Sequence, residues 1–209
     1  MFFEPHKRDR TLLPHDPFKA MIAPRPVGWI SSMNRAGQVN LAPYSFFNAF
    51  CDNPPMVGFC SDGEKDSKTF AEDSGEFVWN MATYDLRDEM NASSAPLPRG
   101  QSEFGHAGLA TAPSQFVRPP RVAASPCALE CKVTQIFSLT DIEGKAVDRW
   151  LVMGQVVCIH VADDYIADGR IDVLRMKPIA RCGYMDYTAI ESFFSMKRPA
   201  GAGNAGAGG

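Results

Sequence analysis

Hydrophobic and polar positions along this chain fall into short runs that suit strands more often than helices. Val27 to Met33 is apolar apart from Gly28 and the Ser31-Ser32 pair, and it reads as a strand. Asn34-Arg35-Ala36-Gly37 follows as a turn, because Asn and Gly tolerate positive φ. Gln38 to Ser45 then returns as the second strand of a hairpin. Pro55 to Ser61 is a third, short strand, and Glu76 to Met81 has the β-branched and aromatic content of a fourth. Ser67 to Asp73 predicts a helix closed by Gly75. Tyr84 to Ala95 predicts a second helix, with Leu86 and Met90 four residues apart on one face. Two long strands, Ala128 to Leu139 and Arg149 to Val161, are separated by the turn Asp141-Ile142-Glu143-Gly144. Asp172 to Met176 reads as a helical turn and Pro178 to Cys182 as a last short strand.

Between these elements, residues 96–121 are rich in Pro, Gly and Ser and read as loop. Residues 1–15 are charged and proline-punctuated, which suits an extended arm. Residues 16–190 form one expected domain. Residues 191–209 are an expected flexible tail, Gly/Ala-rich from Pro199 and unable to bury a core. Strands at hairpin spacing with few helices predict a mainly β (α+β) fold, and a barrel over a doubly wound sheet.

Composition narrows the classes. The 209 residues suffice for one domain with a sizeable core, and 45% hydrophobic and 22% charged residues are ordinary for a globular chain. A net charge of −3 removes the broad basic footprint of a nucleic-acid partner, while leaving room for a local basic pocket. Of the six cysteines, five sit in or beside apolar runs, so reduced core thiols are expected. The start lacks the apolar core of a signal peptide, and no run approaches the ~18 apolar residues of a membrane span. A cytoplasmic protein with no membrane partner is the expectation. No His/Asp/Glu grouping has metal-ligand spacing.

Three segments carry candidate chemistry. Ser31 and Ser32 offer two hydroxyls at a strand end, suited to ligand carbonyls or hydroxyls, or to an ordinary strand-end turn. Pro43, inside a strand, requires a bulge or an edge position; a bulge frees backbone groups to face a ligand. Lys65-Asp66-Ser67-Lys68-Thr69 opens a helix with Ser67 or Asp66 as N-cap, which makes either a phosphate site or a solvated helix start. Asn80 suits a ligand contact or core satisfaction equally, and Trp79 suits packing. His106, in a loop, is a candidate nicotinamide or substrate contact, whereas His160 reads as structural. Arg181 suits an anion or a carboxylate across a subunit interface.

Taken in order, five blocks resemble the flavin reductase-like family of FMN-binding split barrels. They are Arg25-Pro26-Val27-Gly28-Trp29-Ile30-Ser31-Ser32, Asn40-Leu41-Ala42-Pro43-Tyr44-Ser45, Lys65-Asp66-Ser67, Gly75-Glu76-Phe77-Val78-Trp79-Asn80, and Arg181 to Tyr187. The resemblance implies a split β-barrel with a few short peripheral helices. It implies FMN bound by Trp29, Ser31, Ser32, Ala42, Pro43, Tyr44, Ser45, Lys65, Asp66, Ser67 and Asn80. In this reading Ala42 lets the flavin ring approach the backbone, and the Lys-Asp-Ser block holds the phosphate. Ser67 stands where the family has Thr and keeps the hydroxyl; Cys182 stands where Leu is frequent. The family further implies a homodimer with FMN at its interface, and NADH or NADPH as co-substrate passing hydride to flavin N5. A monooxygenase or another electron-acceptor protein is the implied partner. The alternatives are a flavoredoxin-like electron carrier and a non-catalytic flavin-binding or sensing module whose loop near His106 blocks nicotinamide. An unrelated barrel for haem or pyridoxal phosphate, with His160 or His106 facing its cavity, is the last.

Overall fold

The computed structural model describes residues 1–98, 101–197 and 199. Its centre is one seven-stranded antiparallel sheet. In chain order the strands are β1 (Gly28–Met33), β2 (Val39–Tyr44), β3 (Phe47–Asp52), β4 (Pro55–Asp62), β5 (Glu76–Asn80), β6 (Cys127–Thr140) and β7 (Ala146–Val161). Their order across the sheet is β2-β1-β5-β6-β7-β4-β3. The two edge strands, β2 and β3, are consecutive in the chain and separated only by Ser45 and Phe46. A connection that short between opposite edges forces the sheet to curl back on itself. No ladder joins β2 to β3, so the barrel stays split at that seam, with Phe46 O accepting the Cys60 N–H at 2.8 Å beside it. This is the mainly β split barrel that the sequence predicts.

Local chemistry explains the elements. Asn34 and Gly37 make the β1–β2 turn, where the Gly37 N–H donates to Asn34 O at 3.0 Å and φ is +85°. β1 is central and buried on both faces, which is why it reads as a continuous apolar run. Ile30 faces the barrel interior with Tyr44, Phe59, Phe77 and Val152. Trp29 faces the other way, onto Leu41, Met90, Phe104 and Val122. Inside the barrel, Phe59 and Phe77 meet edge to face at 5.4 Å, and Phe77 fills the space over Gly154, where a Cβ would come within 2.5 Å of its ring.

Helix α1 (Asp66–Ser74) packs across β1, β2 and β5, and Gly75 closes it at φ +76° with its N–H on Ala71 O, as expected. Lys68 of α1 is buried against the Trp150 ring, 4.2 Å from its centroid, and bonds Glu72 at 2.7 Å and Glu64 at 3.2 Å. Burial works against its charge, but the two glutamates outweigh that and hold its pKa above the usual lysine value.

Several expectations are corrected. β3 was not predicted, because Phe47-Asn48-Ala49-Phe50-Cys51-Asp52 has no clean alternation and is largely exposed. The predicted helix over Tyr84 to Ala95 is a 3₁₀ turn, Tyr84–Leu86, followed by α2 (Arg87–Ala92). The predicted loop 96–121 contains α3 (Glu103–His106) and short paired strands at Thr111–Ala112 and Arg121–Val122. Only Cys127 and Cys131 are buried; Cys51, Cys60, Cys158 and Cys182 are half-buried thiols. The tail beyond Pro199 lies outside the described residues. Among the described residues no helix is long and apolar enough to cross a membrane.

Candidate functional site

A cavity of about 800 Å³ opens at the split, a size suited to one cofactor-scale ligand. Its walls come from β2 and the β2–β3 connection (Asn40, Ala42 to Phe46), the end of β4 (Cys60, Asp62), the start of α1 (Lys65, Asp66, Ser67) and Glu103 of α3. Thus Ala42, Pro43, Tyr44, Ser45, Lys65, Asp66 and Ser67, expected to meet a cofactor, share one hollow.

Pro43 sits in an edge strand, and β2 pairs with β1 without a register shift, so the edge position and not a bulge accommodates it. The outward side of β2 is already marked by Glu103, whose Oε2 accepts the Leu41 N–H at 2.9 Å. Backbone groups alternate along a strand, so Pro43 also points its carbonyl outward and has no N–H to leave unpaired. The edge beside the cavity therefore presents carbonyl acceptors, while Glu103 covers the Leu41 donor.

The start of α1 differs from expectation in one respect: its N-cap is Lys65, in extended conformation, and no side chain caps it. First-turn N–H groups of a helix have no intrahelical acceptor and carry the positive end of its dipole. Here that end lies in the cavity wall with the Lys65 side chain. Ser67 is buried in this first turn, and its Oγ accepts from Asn40 Nδ2 at 2.7 Å. The Tyr44 hydroxyl is buried and makes no hydrogen bond of ordinary geometry. Burial pushes the Tyr44 phenol up, so it remains a neutral donor. Burial likewise raises the Glu103 carboxyl, with Asp66 adding to the shift. Lys68 and Thr69 take no part in the cavity: Lys68 is enclosed by its glutamates and Trp150, and Thr69 Oγ1 returns to the backbone of Lys65 and Asp66.

Trp29, Ser31, Ser32 and Asn80 line no part of the cavity. They lie on β1 and β5, in the interior of the sheet. Trp29 Nε1 donates to Ser93 Oγ at 2.9 Å. Asn80 Oδ1 accepts the Val122 N–H at 2.8 Å, and its Nδ2 donates to Trp29 O at 3.2 Å, so core satisfaction is the alternative the fold adopts. The Ser31 and Ser32 hydroxyls are fully buried and without a partner. His106 is exposed at the end of α3 and also outside the cavity. Arg181 donates to Tyr184 O at 2.6 Å and stacks over the Tyr187 ring.

Sequence reasoning missed Asn40 as a partner of Ser67, and gave Glu103 no role of its own. It also found no metal-type grouping, yet cross-strand register brings Glu130 of β6 opposite Cys158 of β7, with His160 beside them. His160 and Glu130 are in direct hydrogen-bond contact. Glu130 also accepts the N–H groups of Gln115, Phe116 and Val117, so the group braces that loop against the sheet.

A cradle with an uncapped helix start, a lysine and buried hydroxyls at one end, and an edge strand along its side, suits a phosphorylated aromatic cofactor. The comparisons agree. The family model described as "Flavin reductase like domain" matches residues 21–174. The chain belongs to the flavin reductase-like family. An uncharacterised protein of Halalkalibacterium halodurans is 36% identical over 183 residues, covering 85% of this chain and 87% of that protein. The structure of nitrilotriacetate monooxygenase component B from Bacillus cereus is 28% identical, with TM-score 0.84, covering 94% of this chain and 98% of that one. A split-barrel protein from Shewanella frigidimarina, 20% identical, has the same fold at TM-score 0.81 over 95% of this chain and 99% of that one. As a flavin reductase-like protein, the chain is a flavin-related oxidoreductase.

Proposed function

We propose that this protein is an NAD(P)H-dependent flavin reductase that binds FMN in the split-barrel cavity. The observation that carries the reading is the uncapped start of α1, open to the cavity beside Lys65 and Ser67. A helix start with a cation and a hydroxyl is a phosphate site on physical grounds alone. FMN, when bound, supplies the hydride-accepting ring, and no protein acid or base is required for that transfer. The chain's own residues bind and orient. Lys65 and Ser67 hold the phosphate, Ala42 leaves room for the ring against β2, and the outward backbone of Pro43 and Ser45 meets its polar edge.

Two finer statements belong to the same reading. The first is a homodimer: Ile22, Phe46 and Phe50 are exposed around a second hollow of about 340 Å³ that shares Ser45, Phe46 and Cys60 with the main cavity. Exposed apolar surface beside a site is the kind that subunit contacts cover. The second is a partner monooxygenase, which the likeness to a monooxygenase component B supports.

The test is anaerobic rapid mixing of FMN-loaded protein with NADH and, separately, with NADPH. Flavin absorbance should bleach with at least one of them. Bleaching by dithionite but by neither nicotinamide would instead identify a flavoredoxin-like carrier or a sensing module.

A further inference from the structure

We infer that Lys19 binds the diphosphate of a dinucleotide hydride donor, at the end of the cavity away from the FMN phosphate. The inference rests on the flavin reductase reading and gives its second substrate a contact. Among the described residues, Lys19, Lys65 and Arg149 are the cationic side chains of the cavity wall. Arg149 is engaged by Asp62, and Lys65 stands at the start of α1. Lys19 has no carboxylate partner among the described residues, and its ammonium lies 6.0 Å from the centre of the Phe46 ring. Two carboxylates of the same wall are already taken: Glu64 pairs with Lys68, and Glu103 accepts the Leu41 N–H.

The backbone that carries this lysine is fixed. Lys19 belongs to the helical turn Phe18–Met21, where the Phe18 N–H donates to Asp16 Oδ1 at 3.0 Å. The buried guanidinium of Arg25 donates to Lys19 O and Ile22 O through Nη1, and to Cys182 O at 2.9 Å through Nη2. Gly183 lets the turn sit close, since a Cβ there would come within 2.4 Å of Ala20 Cβ. An exposed ammonium on a fixed turn is preorganised for an anion arriving from solvent. Its place along β2 identifies the anion. Ser67 meets β2 at Asn40, near the start of the strand, whereas Lys19 stands over Phe46, beyond its end. The single phosphate of FMN is taken by the start of α1, and its ring lies along β2 between the two ends. The anion at Lys19 then belongs to the molecule that reacts with the ring. A dinucleotide donor carries its diphosphate one ribose away from the nicotinamide, so Lys19 anchors the donor while the nicotinamide meets the flavin.

The experiment compares FMN-loaded wild type, Lys19→Met and Lys19→Arg, with thermal melts to confirm folding. Calorimetric titration with ADP-ribose, which carries the diphosphate but no reducing ring, reads binding without turnover. Anaerobic rapid mixing reads the donor concentration that gives half-maximal bleaching rate. The donors are whichever of NADH and NADPH bleaches wild type, and N-benzyl dihydronicotinamide, which is uncharged. Lys19→Met should weaken ADP-ribose binding and raise the half-saturating dinucleotide concentration about fivefold to tenfold, the loss of one charge-assisted contact. Lys19→Arg should keep most of the affinity. The uncharged donor, the limiting bleaching rate and FMN affinity should be unchanged in both variants. An equal loss with the uncharged donor, or a loss of FMN affinity in Lys19→Met, would overturn the inference by placing Lys19 against the flavin. Unchanged affinity for ADP-ribose and dinucleotide in Lys19→Met would also overturn it, while bleaching of wild type left the flavin reductase reading standing. Wild-type protein that neither NADH nor NADPH bleaches would remove that reading, and this inference with it.

Discussion

Two lysines three positions apart separate binding from packing at the residue scale. Lys65 stands at the helix start in the cavity wall, whereas Lys68 is buried under Trp150 between two glutamates. Lys65→Ala should weaken FMN binding about tenfold, the loss of one charge-assisted contact, and leave the melting temperature nearly unchanged. Lys68→Ala should do the reverse, because it strands Glu64 and Glu72 and leaves a gap over an indole ring. Flavin titration and thermal melts of both variants check the pair. Asn80→Ala supplies the complementary case. Its buried amide holds Val122 and Trp29, so unfolding in urea should show a loss of about 2 kcal/mol with flavin affinity intact.

The place of the Lys65-Asp66-Ser67 block at a helix start was legible from the sequence, because small polar and acidic residues favour that position. The separation of Lys65 from Lys68 was not, since it depends on which side of α1 meets β7. The position of Trp29, Ser31, Ser32 and Asn80 outside the cavity was not legible for a related reason. Small polar residues on an apolar strand read alike whether the strand borders a cavity or lies mid-sheet, and only strand order decides.

At the scale of elements, hairpins and helix ends were readable where local chemistry is strong. Asn34 and Gly37 mark the β1–β2 turn, and Gly75 ends α1. β3 was invisible because its residues are largely exposed and do not alternate, although it pairs with β4 across the short turn Asn53-Pro54. The brace of residues 115–117 on Glu130 was equally hidden, since it joins groups at least 13 residues apart in sequence. It has a pH signature. Burial pushes the Glu130 carboxyl up, but the N–H groups of Gln115 and Phe116 and the His160 ring outweigh it and lower the pKa below 4.5. A depressed folded value stabilises the native state above the ordinary glutamate range and is lost as pH falls through it. Hydrogen exchange at Gln115, Phe116 and Val117 should therefore accelerate selectively as pH drops below about 4.5, after correction for intrinsic rates. Glu130→Gln should remove that selectivity; unchanged protection across this range would refute the brace.

For the whole molecule, one feature organises everything: a two-residue link between the two edges of a seven-stranded sheet. It curls the sheet, leaves a seam, and sets the start of α1 beside that seam. Exposed Ile22, Phe46 and Phe50 border the same seam. Sedimentation equilibrium should report a dimer, and Phe50→Asp should shift it toward monomer and lower FMN affinity together. A wild-type monomer with full flavin affinity would separate the site from any subunit contact.

The most direct measurement is a crystal structure of the protein with FMN. The phosphate should lie against the first turn of α1, within hydrogen-bond reach of Ser67 Oγ, with Lys65 beside it and the ring along β2. Density for the flavin anywhere outside the cavity between β2 and α1, or with its phosphate turned away from that helix, would contradict the account.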